Sequence, residues 1–281
     1  MEAAIDEKVR IASDFLLASP PGEVNDVFND VRTLIDNDEA LQEGILTALE
    51  QYNTEQLITV KLPGSDQEVI VSSHGKTNDD RYLDPRSKQT FRFDHMRLTA
   101  SEVLADDSEK DSELDQLRSL LESEATKYVN DHYPDGVCTV YASAQKLVIA
   151  IVDNKFNPSN YWNGRWRATW SYDTQSGGLE GVVQVNVHYY EDGNVQLNSQ
   201  KKAEATVSSE GDQEKVVTAV VKEIAAAERK YQAALNDSYS DLAEDTFKGL
   251  RRTLPMTRNK LDWNKVLNYK IGSELAQKSD I

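Results

Sequence analysis

The sequence predicts an α+β fold: an N-terminal antiparallel helical bundle, a small β region, and an antiparallel sheet covered by a long C-terminal helix. Three observations predict this order. Apolar residues recur every three or four positions over 6–52, alternate with polar residues in the middle of the chain, and return to helical spacing over 212–254. We therefore expect four regions: a helical stalk at 1–55, a small β region with an acidic linker and helix at 56–125, the sheet with its long helix at 126–255, and an amphipathic tail at 256–281.

Three short helices are expected in the first region. Val9, Ala12 and Leu16 share one helical face, and Pro20-Pro21-Gly22 ends that helix. Two further helical patterns follow within 24–49. Because the connections are short, the three helices are expected to form a small antiparallel bundle.

The small β region is predicted from a turn between two short apolar runs. Pro63-Gly64-Ser65-Asp66 separates 57–62 from 68–72, which is typical of a hairpin. Acidic residues dominate 102–124. Its first part is interpreted as a solvated linker and its second part as a helix.

The middle of the chain, 137–199, has the pattern of an antiparallel meander. Asn163-Gly164 and Asp192-Gly193 are predicted to be tight hairpin turns, because both dipeptides accept positive φ angles. Val183, Val185 and Val187 alternate with polar residues, so one face of that strand should be buried. His188 should then face the opposite side.

The longest predicted helix covers 212–254 and stops at Pro255. Some 40 residues at 1.5 Å each give roughly 60 Å, which exceeds the width of a domain of this size. Such a helix either lies across a sheet or packs against a second chain.

Composition limits the classes of function. The 281 residues carry a formal net charge of −17, which disfavours nucleic acid as a partner. Cys138 is the single cysteine, and it is expected to be a buried thiol. The four histidines lack helical metal-ligand spacing. The acidic N-terminus and the short apolar runs predict a soluble intracellular protein that spans no membrane. We therefore expect no enzyme, no metal and no cofactor.

The charge reverses near the C-terminus. Residues 247–270 contain seven bases and one acid, a local net charge of +6. Two interpretations remain open. The bases could pair with acids of the same fold near a helix C-terminus, or they could bind an acidic protein surface or a phosphoinositide head group.

The tail has an amphipathic pattern. Trp263, Val266, Leu267 and Ile271 share one helical face, which Leu275 extends. This pattern fits a helix that docks in the apolar groove of a partner. It also fits a C-terminal helix folded back on its own core.

Two stretches resemble the hallmark sequences of the F-actin capping protein alpha subunit family: Val-His-Tyr-Tyr-Glu-Asp-Gly-Asn-Val at 187–195 and Phe-Lys-Gly-Leu-Arg-Arg-Thr-Leu-Pro at 247–255. Five shorter runs match in family order, and together they span nearly the whole chain. They are Pro-Pro-Gly-Glu at 20–23, Phe-Asn-Asp-Val-Arg at 28–32, Tyr-Leu-Asp-Pro-Arg at 82–86, Tyr-Trp-Asn-Gly-Arg-Trp-Arg at 161–167 and Asp-Trp-Asn-Lys at 262–265.

The resemblance implies a pseudo-symmetric heterodimer with a similarly folded beta subunit, in which the two chains share one sheet and each ends in a mobile amphipathic tail. It implies binding to the barbed, fast-growing end of an actin filament without calcium. Regulation by phosphoinositides, by an ankyrin-repeat inhibitor and by capping-protein-interaction motifs is implied as well. The expected location is the cytoplasm and the cortical cytoskeleton.

The resemblance also implies the site. Lys248, Arg252 and Arg258 match family positions that contact actin, and they overlap its phosphoinositide site. With the residues of the tail pattern, the expected actin-binding set is Lys248, Arg252, Arg258, Lys260, Trp263, Lys265, Leu267 and Ile271. Two rival readings remain: a non-enzymatic heterodimeric scaffold subunit in a cytoskeletal complex, and an enzyme of unrecognised type.

Overall fold

The fold is given by a computed structural model that describes residues 2–35, 37–106, 112–191, 194–208 and 211–242. Two compact units, Met1–Tyr231 and Gln232–Ile281, divide the chain. Within the described ranges, no helix has both the length and the hydrophobicity that crossing a membrane requires.

Three N-terminal helices form as predicted: α1 at Glu2–Leu17, α2 at Val24–Ile35 and α3 at Asp38–Glu55. Their apolar faces meet in one core. Gly44 lets α3 approach α1 closely, since a Cβ at this position would lie 2.2 Å from Val9. The buried members of the core are Ala12, Leu16, Val24, Val31, Ile45, Leu49 and Tyr52.

Two small sheets follow the helices. Strands β1 (Thr59–Lys61) and β2 (Glu68–Ile70) form the expected hairpin. Strands β3 (Tyr82–Asp84), β4 (Gln89–Asp94) and β5 (Thr99–Ala105) form an antiparallel sheet in that order. The prediction of a linker from residue 102 was wrong, because β5 continues to Ala105 and places Ala100 and Val103 against the core of this region.

A polar junction joins the helices to the small sheet. Asn53 of α3 is fully buried, and its amide donates to the carbonyl oxygen of His95 at 2.9 Å. The Nε2 atom of His95 lies 3.0 Å from the Tyr82 hydroxyl. Burial raises the pKa of Tyr82 to about 12 and lowers the pKa of His95. Both side chains are therefore held in their neutral forms at neutral pH.

Within the described residues, the main sheet has five antiparallel strands. Helix α4 (Ser112–His132) leads into β6 (Val137–Ser143), and helix α5 (Gln213–Asp241) follows the last strand. The other four strands are β7 (Lys146–Asn157), β8 (Trp162–Asp173), β9 (Gly178–Tyr189) and β10 (Val195–Thr206). The strand order is β10-β9-β8-β7-β6, a meander in which every strand pairs with its neighbour in the chain. Cys138 of β6 is buried, as predicted.

One of the two predicted turns is wrong. Asn163 and Gly164 lie inside β8, where they pair with Phe156 and Lys155 of β7. The chain reverses earlier, through a 3₁₀ turn at Pro158–Asn160 followed by Tyr161 in the left-handed region at φ 58°. Proline at the start of this turn favours it. The second predicted turn, Asp192-Gly193, lies outside the described residues.

The two faces of β8 serve different layers. Asn163, Arg165 and Arg167 point toward the N-terminal helices. The guanidinium of Arg165 donates to the Tyr52 hydroxyl at 3.0 Å. Arg167 donates to Asn154 Oδ1 at 2.8 Å and to the carbonyl of Gln56, and burial lowers its pKa to about 9.

The opposite face of β8 carries aromatic side chains toward α4 and α5. Trp166 lies against Tyr133 and Tyr231, and Trp170 is almost fully buried. Along β9 the burial declines from Val183, which is buried, through half-buried Val185 and Val187 to exposed Tyr189. His188 faces the other side, as expected. The predicted end of α5 at residue 254 lies outside the described residues.

Gly181 of β9 permits this aromatic packing. It pairs with Trp170, and a Cβ at position 181 would lie 2.1 Å from the indole ring. Gly181→Ala is therefore expected to destabilise the fold by about 1–3 kcal/mol, because the overpacked indole must move. Denaturant unfolding measures this change. Gly164→Ala is the matched control, since its Cβ would meet nothing closer than 3.7 Å. Equal stability of the two variants would contradict this account of the packing.

Candidate functional site: a polar clasp and two open surfaces

The residues predicted to contact actin lie outside the described residues. So do the C-terminal tail at 256–281 and the end of the expected long helix. The members of this set are Lys248, Arg252, Arg258, Lys260, Trp263, Lys265, Leu267 and Ile271. The structure describes what precedes them, up to Leu242, one residue after the end of α5.

A polar clasp joins the turn between α1 and α2 to one end of the main sheet. Its centre is Glu23, whose Oε1 lies 2.6 Å from His188 Nδ1 and accepts from Asn163 Nδ2 at 3.2 Å. His188 Nε2 lies 3.1 Å from Asn194 Oδ1. Four separate parts of the chain thus meet through side-chain hydrogen bonds.

The surroundings of the clasp fix its geometry. Gly22 adopts φ +78°, which favours glycine, and this turn presents Glu23 to the sheet. The Tyr190 ring stacks on His188 with centroids 4.9 Å apart. His188 and Asn163 are buried, so losing the Glu23 carboxylate would leave buried polar groups without their partner.

Sequence reasoning missed the clasp as a site. Three of the runs that carry the family resemblance supply Glu23, Asn163 and His188. In the folded chain, these three runs come together at the clasp. Glu23 lies 140 positions before Asn163 and 165 before His188. No local spacing rule links residues so far apart in the chain.

The first open surface is the outer edge of β10. Within the described residues, β9 is the only strand that pairs with β10. The opposite edge strand, β6, instead packs against α4 and β2. Most residues of β10 are exposed, and the strand runs for 12 residues. Such an edge offers a row of backbone donors and acceptors to another strand.

The second open surface lies on α1. Ile11 and Phe15 are 42% and 58% exposed and lie four positions apart, which places them on one side of the helix. Leu46 of α3 is also exposed. Large apolar side chains grouped on a helix in this way are typical of a contact surface.

A cavity of about 260 Å³ lies between α4, β6 and the small three-stranded sheet. Among its lining residues, Arg118 donates to Asp115 at 2.8 Å and to Glu122 at 2.6 Å, and Tyr141 donates to the carbonyl of Ile70 at 3.1 Å. These polar groups are engaged in structural hydrogen bonds. The cavity therefore gives the interpretation as an enzyme no support.

Within the described residues, the architecture defines a class: a mixed α+β protein whose long antiparallel sheet ends in a strand, β10, that is paired on one side only. Comparison with known proteins specifies the family. Residues 12–274 match the family model described as F-actin capping protein alpha subunit. The chain belongs to this family, which confirms the resemblance seen in the sequence.

Individual relatives agree with the family match. The chain is similar to the F-actin-capping protein subunit alpha of Gibberella zeae, at 42% identity over 95% of this chain and 97% of the relative. The subunits from Caenorhabditis elegans and Dictyostelium discoideum are 40% and 37% identical, over 96% and 97% of this chain and 97% and 99% of theirs. The solved structure of a homodimeric actin capping protein alpha subunit from Plasmodium berghei matches with a TM-score of 0.74 and 23% identity, covering 86% of this chain and 94% of that one. This likeness shows the fold.

The clasp makes a direct prediction. Glu23→Ala is expected to destabilise the protein by about 1–3 kcal/mol, because Asn163 and His188 stay buried without their acceptor. Thermal or denaturant unfolding measures the loss. Glu7→Ala is the control, since Glu7 pairs with Arg10 on an exposed surface of α1 and should leave the free energy of unfolding almost unchanged. If Glu23→Ala proves as mild as the control, the clasp does not hold the helices to the sheet.

Proposed function

We propose that this chain is the alpha subunit of a heterodimeric F-actin capping protein. With its beta subunit it binds the barbed ends of actin filaments independently of calcium and blocks the addition and loss of actin subunits. It performs no chemistry and needs no metal or cofactor. The observation that carries the proposal is the family match over 12–274, which includes the basic segment at 247–270.

The partner is a chain of similar fold that extends the main sheet at β10. A strand added there would satisfy the open backbone edge, and the exposed residues of α1 would pack against the helices of the same partner. Because the same partner would cover both open surfaces, we expect an obligate dimer and not a transient contact. The chain alone is then expected to fold poorly or to cap weakly.

The proposed domain limits are those expected from the sequence. The helical stalk occupies 1–55, the small β region with its linker and helix 56–125, the sheet with the long helix 126–255, and the actin-binding tail 256–281. Helix α4 runs continuously through residue 125, so the second and third regions share this helix.

Actin contact is assigned to the end of the long helix and the tail. Lys248, Arg252 and Arg258 attract the acidic actin surface, and this attraction weakens as salt rises. Trp263, Leu267 and Ile271 add apolar burial, at about 1.5–3 kcal/mol for each fully buried side chain. Of the remaining members, Lys265 flanks the apolar stripe and Lys260 precedes it in the sequence.

One tail cannot account for tight capping. A nanomolar complex needs about −12 kcal/mol, and ordering a tail costs part of what its contacts contribute. Two subunits bound to the same filament end make the second attachment intramolecular, which raises the overall affinity without new contacts. The heterodimer is therefore part of the mechanism.

Regulation is proposed at the same basic residues. Phosphoinositides would compete with actin for Lys248, Arg252 and Arg258. An ankyrin-repeat inhibitor and capping-protein-interaction motifs are further proposed partners, whereas nucleic acid is not. The proposed location is the cytoplasm, at the cortical cytoskeleton.

Amide hydrogen exchange tests the position of the dimer interface. In the heterodimer, all amides of β10 are expected to be protected, because strands pair with it on both sides. The edge strand β5 is the control, and its outward amides should exchange faster. Rapid exchange at alternate β10 amides would mean that the partner binds elsewhere.

Seeded barbed-end elongation of actin tests the basic residues. Wild-type heterodimer is expected to stop growth at substoichiometric dose, and the triple variant Lys248→Ala, Arg252→Ala and Arg258→Ala should require at least a tenfold higher concentration. The matched control removes three exposed lysines from α4 and α5, with the triple variant Lys127→Ala, Lys222→Ala and Lys230→Ala. This control has the same net charge and should cap normally.

The outcomes separate the two candidate functions. Equal loss in both triple variants would mean that bulk charge, and not this site, governs capping. A wild-type heterodimer that leaves elongation unchanged would remove the capping proposal and favour a non-enzymatic scaffold subunit of a cytoskeletal complex.

A further inference from the structure

A buried carboxylate lies at the centre of the contact between α5 and the main sheet. Glu228 of α5 has no exposed surface. Its Oε2 accepts from the Tyr128 hydroxyl at 2.8 Å and the Tyr133 hydroxyl at 2.5 Å, and its Oε1 accepts from Trp170 Nε1 at 3.0 Å. All three donors are neutral.

The three donors come from different parts of the fold and are themselves held in place. Tyr128 belongs to α4, Tyr133 follows α4, and Trp170 belongs to β8, where Gly181 leaves room for its ring. One turn further along α5, Tyr231 donates to Ser199 of β10 at 2.8 Å. The acceptor site therefore has a fixed position on the sheet.

Apolar packing alone would not fix the position of α5 along its axis. The buried residues before Glu228 are Val216, Val217, Val220, Val221 and Ile224, which are similar in size and shape. A slip of one helical turn, about 5.4 Å, would place one β-branched side chain where another had been. A slip in one direction would bury the Glu228 carboxylate in the apolar place of Ile224. A slip in the other direction would bring Ile224 to the place of Glu228 and leave three donors without an acceptor.

We propose that Glu228 is a positioning residue that sets the axial register of α5 on the sheet. A single buried polar group that fixes register is the best-attested role for such groups, since burying a charge adds little net stability. This inference rests on the proposed function in one respect. The basic segment follows α5 in the chain, so a change in the register of the helix is expected to change capping.

The test measures a distance in the intact heterodimer. Spin labels replace Lys230 of α5 and Gln175 of the turn between β8 and β9, both exposed. Thr174, next to Gln175, and Gln213 at the start of α5 line one cavity, so the label at position 175 lies near the start of the helix. The label at position 230 lies further along the same helix. The distance between the two labels therefore reports displacement of α5 along its axis. Buried Cys138 stays in place.

Four variants distinguish an effect on the register of α5 from effects on stability and on charge. Glu228→Gln keeps a polar group that can accept from Trp170, so it should retain the wild-type distance and capping. Glu228→Met should broaden the distance distribution or add a second population, and should raise the half-maximal capping concentration at least tenfold. Glu223→Met, at an exposed position of the same helix, is the control and should change neither. The double variant Ile224→Glu, Glu228→Ile moves the carboxylate by four residues and should shift the distance by about 6 Å.

The inference is overturned if folded Glu228→Met keeps the wild-type distance, or if the double variant folds without a shift. The double variant keeps one carboxylate in the helix and decides the question should Glu228→Met fail to fold. A wild-type heterodimer that does not cap would remove the proposed function, while the distances would still decide the register.

Discussion

The alternation of side chains along β8 is the constraint on which the rest of the structure depends. Neighbouring residues of a strand point to opposite faces, so β8 must satisfy two different layers at once. Its polar face holds the N-terminal helices through Asn163, Arg165 and Arg167. Its aromatic face holds α4 and α5 through Trp166 and Trp170. A shift of one residue in register would exchange these faces and remove both sets of contacts.

The same arrangement leaves surfaces for assembly. The central strand is occupied on both faces, whereas β10, two strands away, has an open edge and exposed side chains. The clasp and Glu228 lie on opposite faces of the sheet. The clasp orients the helical stalk, which carries the exposed residues of α1, and Glu228 orients the long helix, which precedes the basic segment in the chain. A buried polar group therefore positions each of these helical parts on the sheet.

Much of the fold was predictable, because it depends on local periodicity. The three N-terminal helices, the hairpin around Gly64 and the meander follow from apolar spacing and turn residues. The errors arose where tertiary contacts override local preference. Asn163-Gly164 has the composition of a turn, yet Asn163 is needed inside β8 to bind Glu23, and Pro158 supplies the turn instead. The linker prediction fails over 102–105 because the acidic composition that begins at Glu102 is typical of a solvated linker, whereas these residues complete the edge strand β5.

The candidate site was predictable only in part. The basic segment at 247–270 is visible as a charge reversal, since such a signal needs no tertiary information. The clasp and the Glu228 site were not visible, because each joins residues roughly 60 to 165 positions apart. A glutamate inside a helical pattern looks like any solvated residue until the structure shows that its partners are two tyrosines and a tryptophan.

The central claim is that this chain acts at one end of the actin filament, and imaging of single growing filaments tests it most directly. Filaments are observed in calcium-free buffer while the heterodimer is added. The account predicts that growth stops at the barbed end and continues at the pointed end of the same filament. Continued growth at both ends, or equal slowing of both, would contradict the claim.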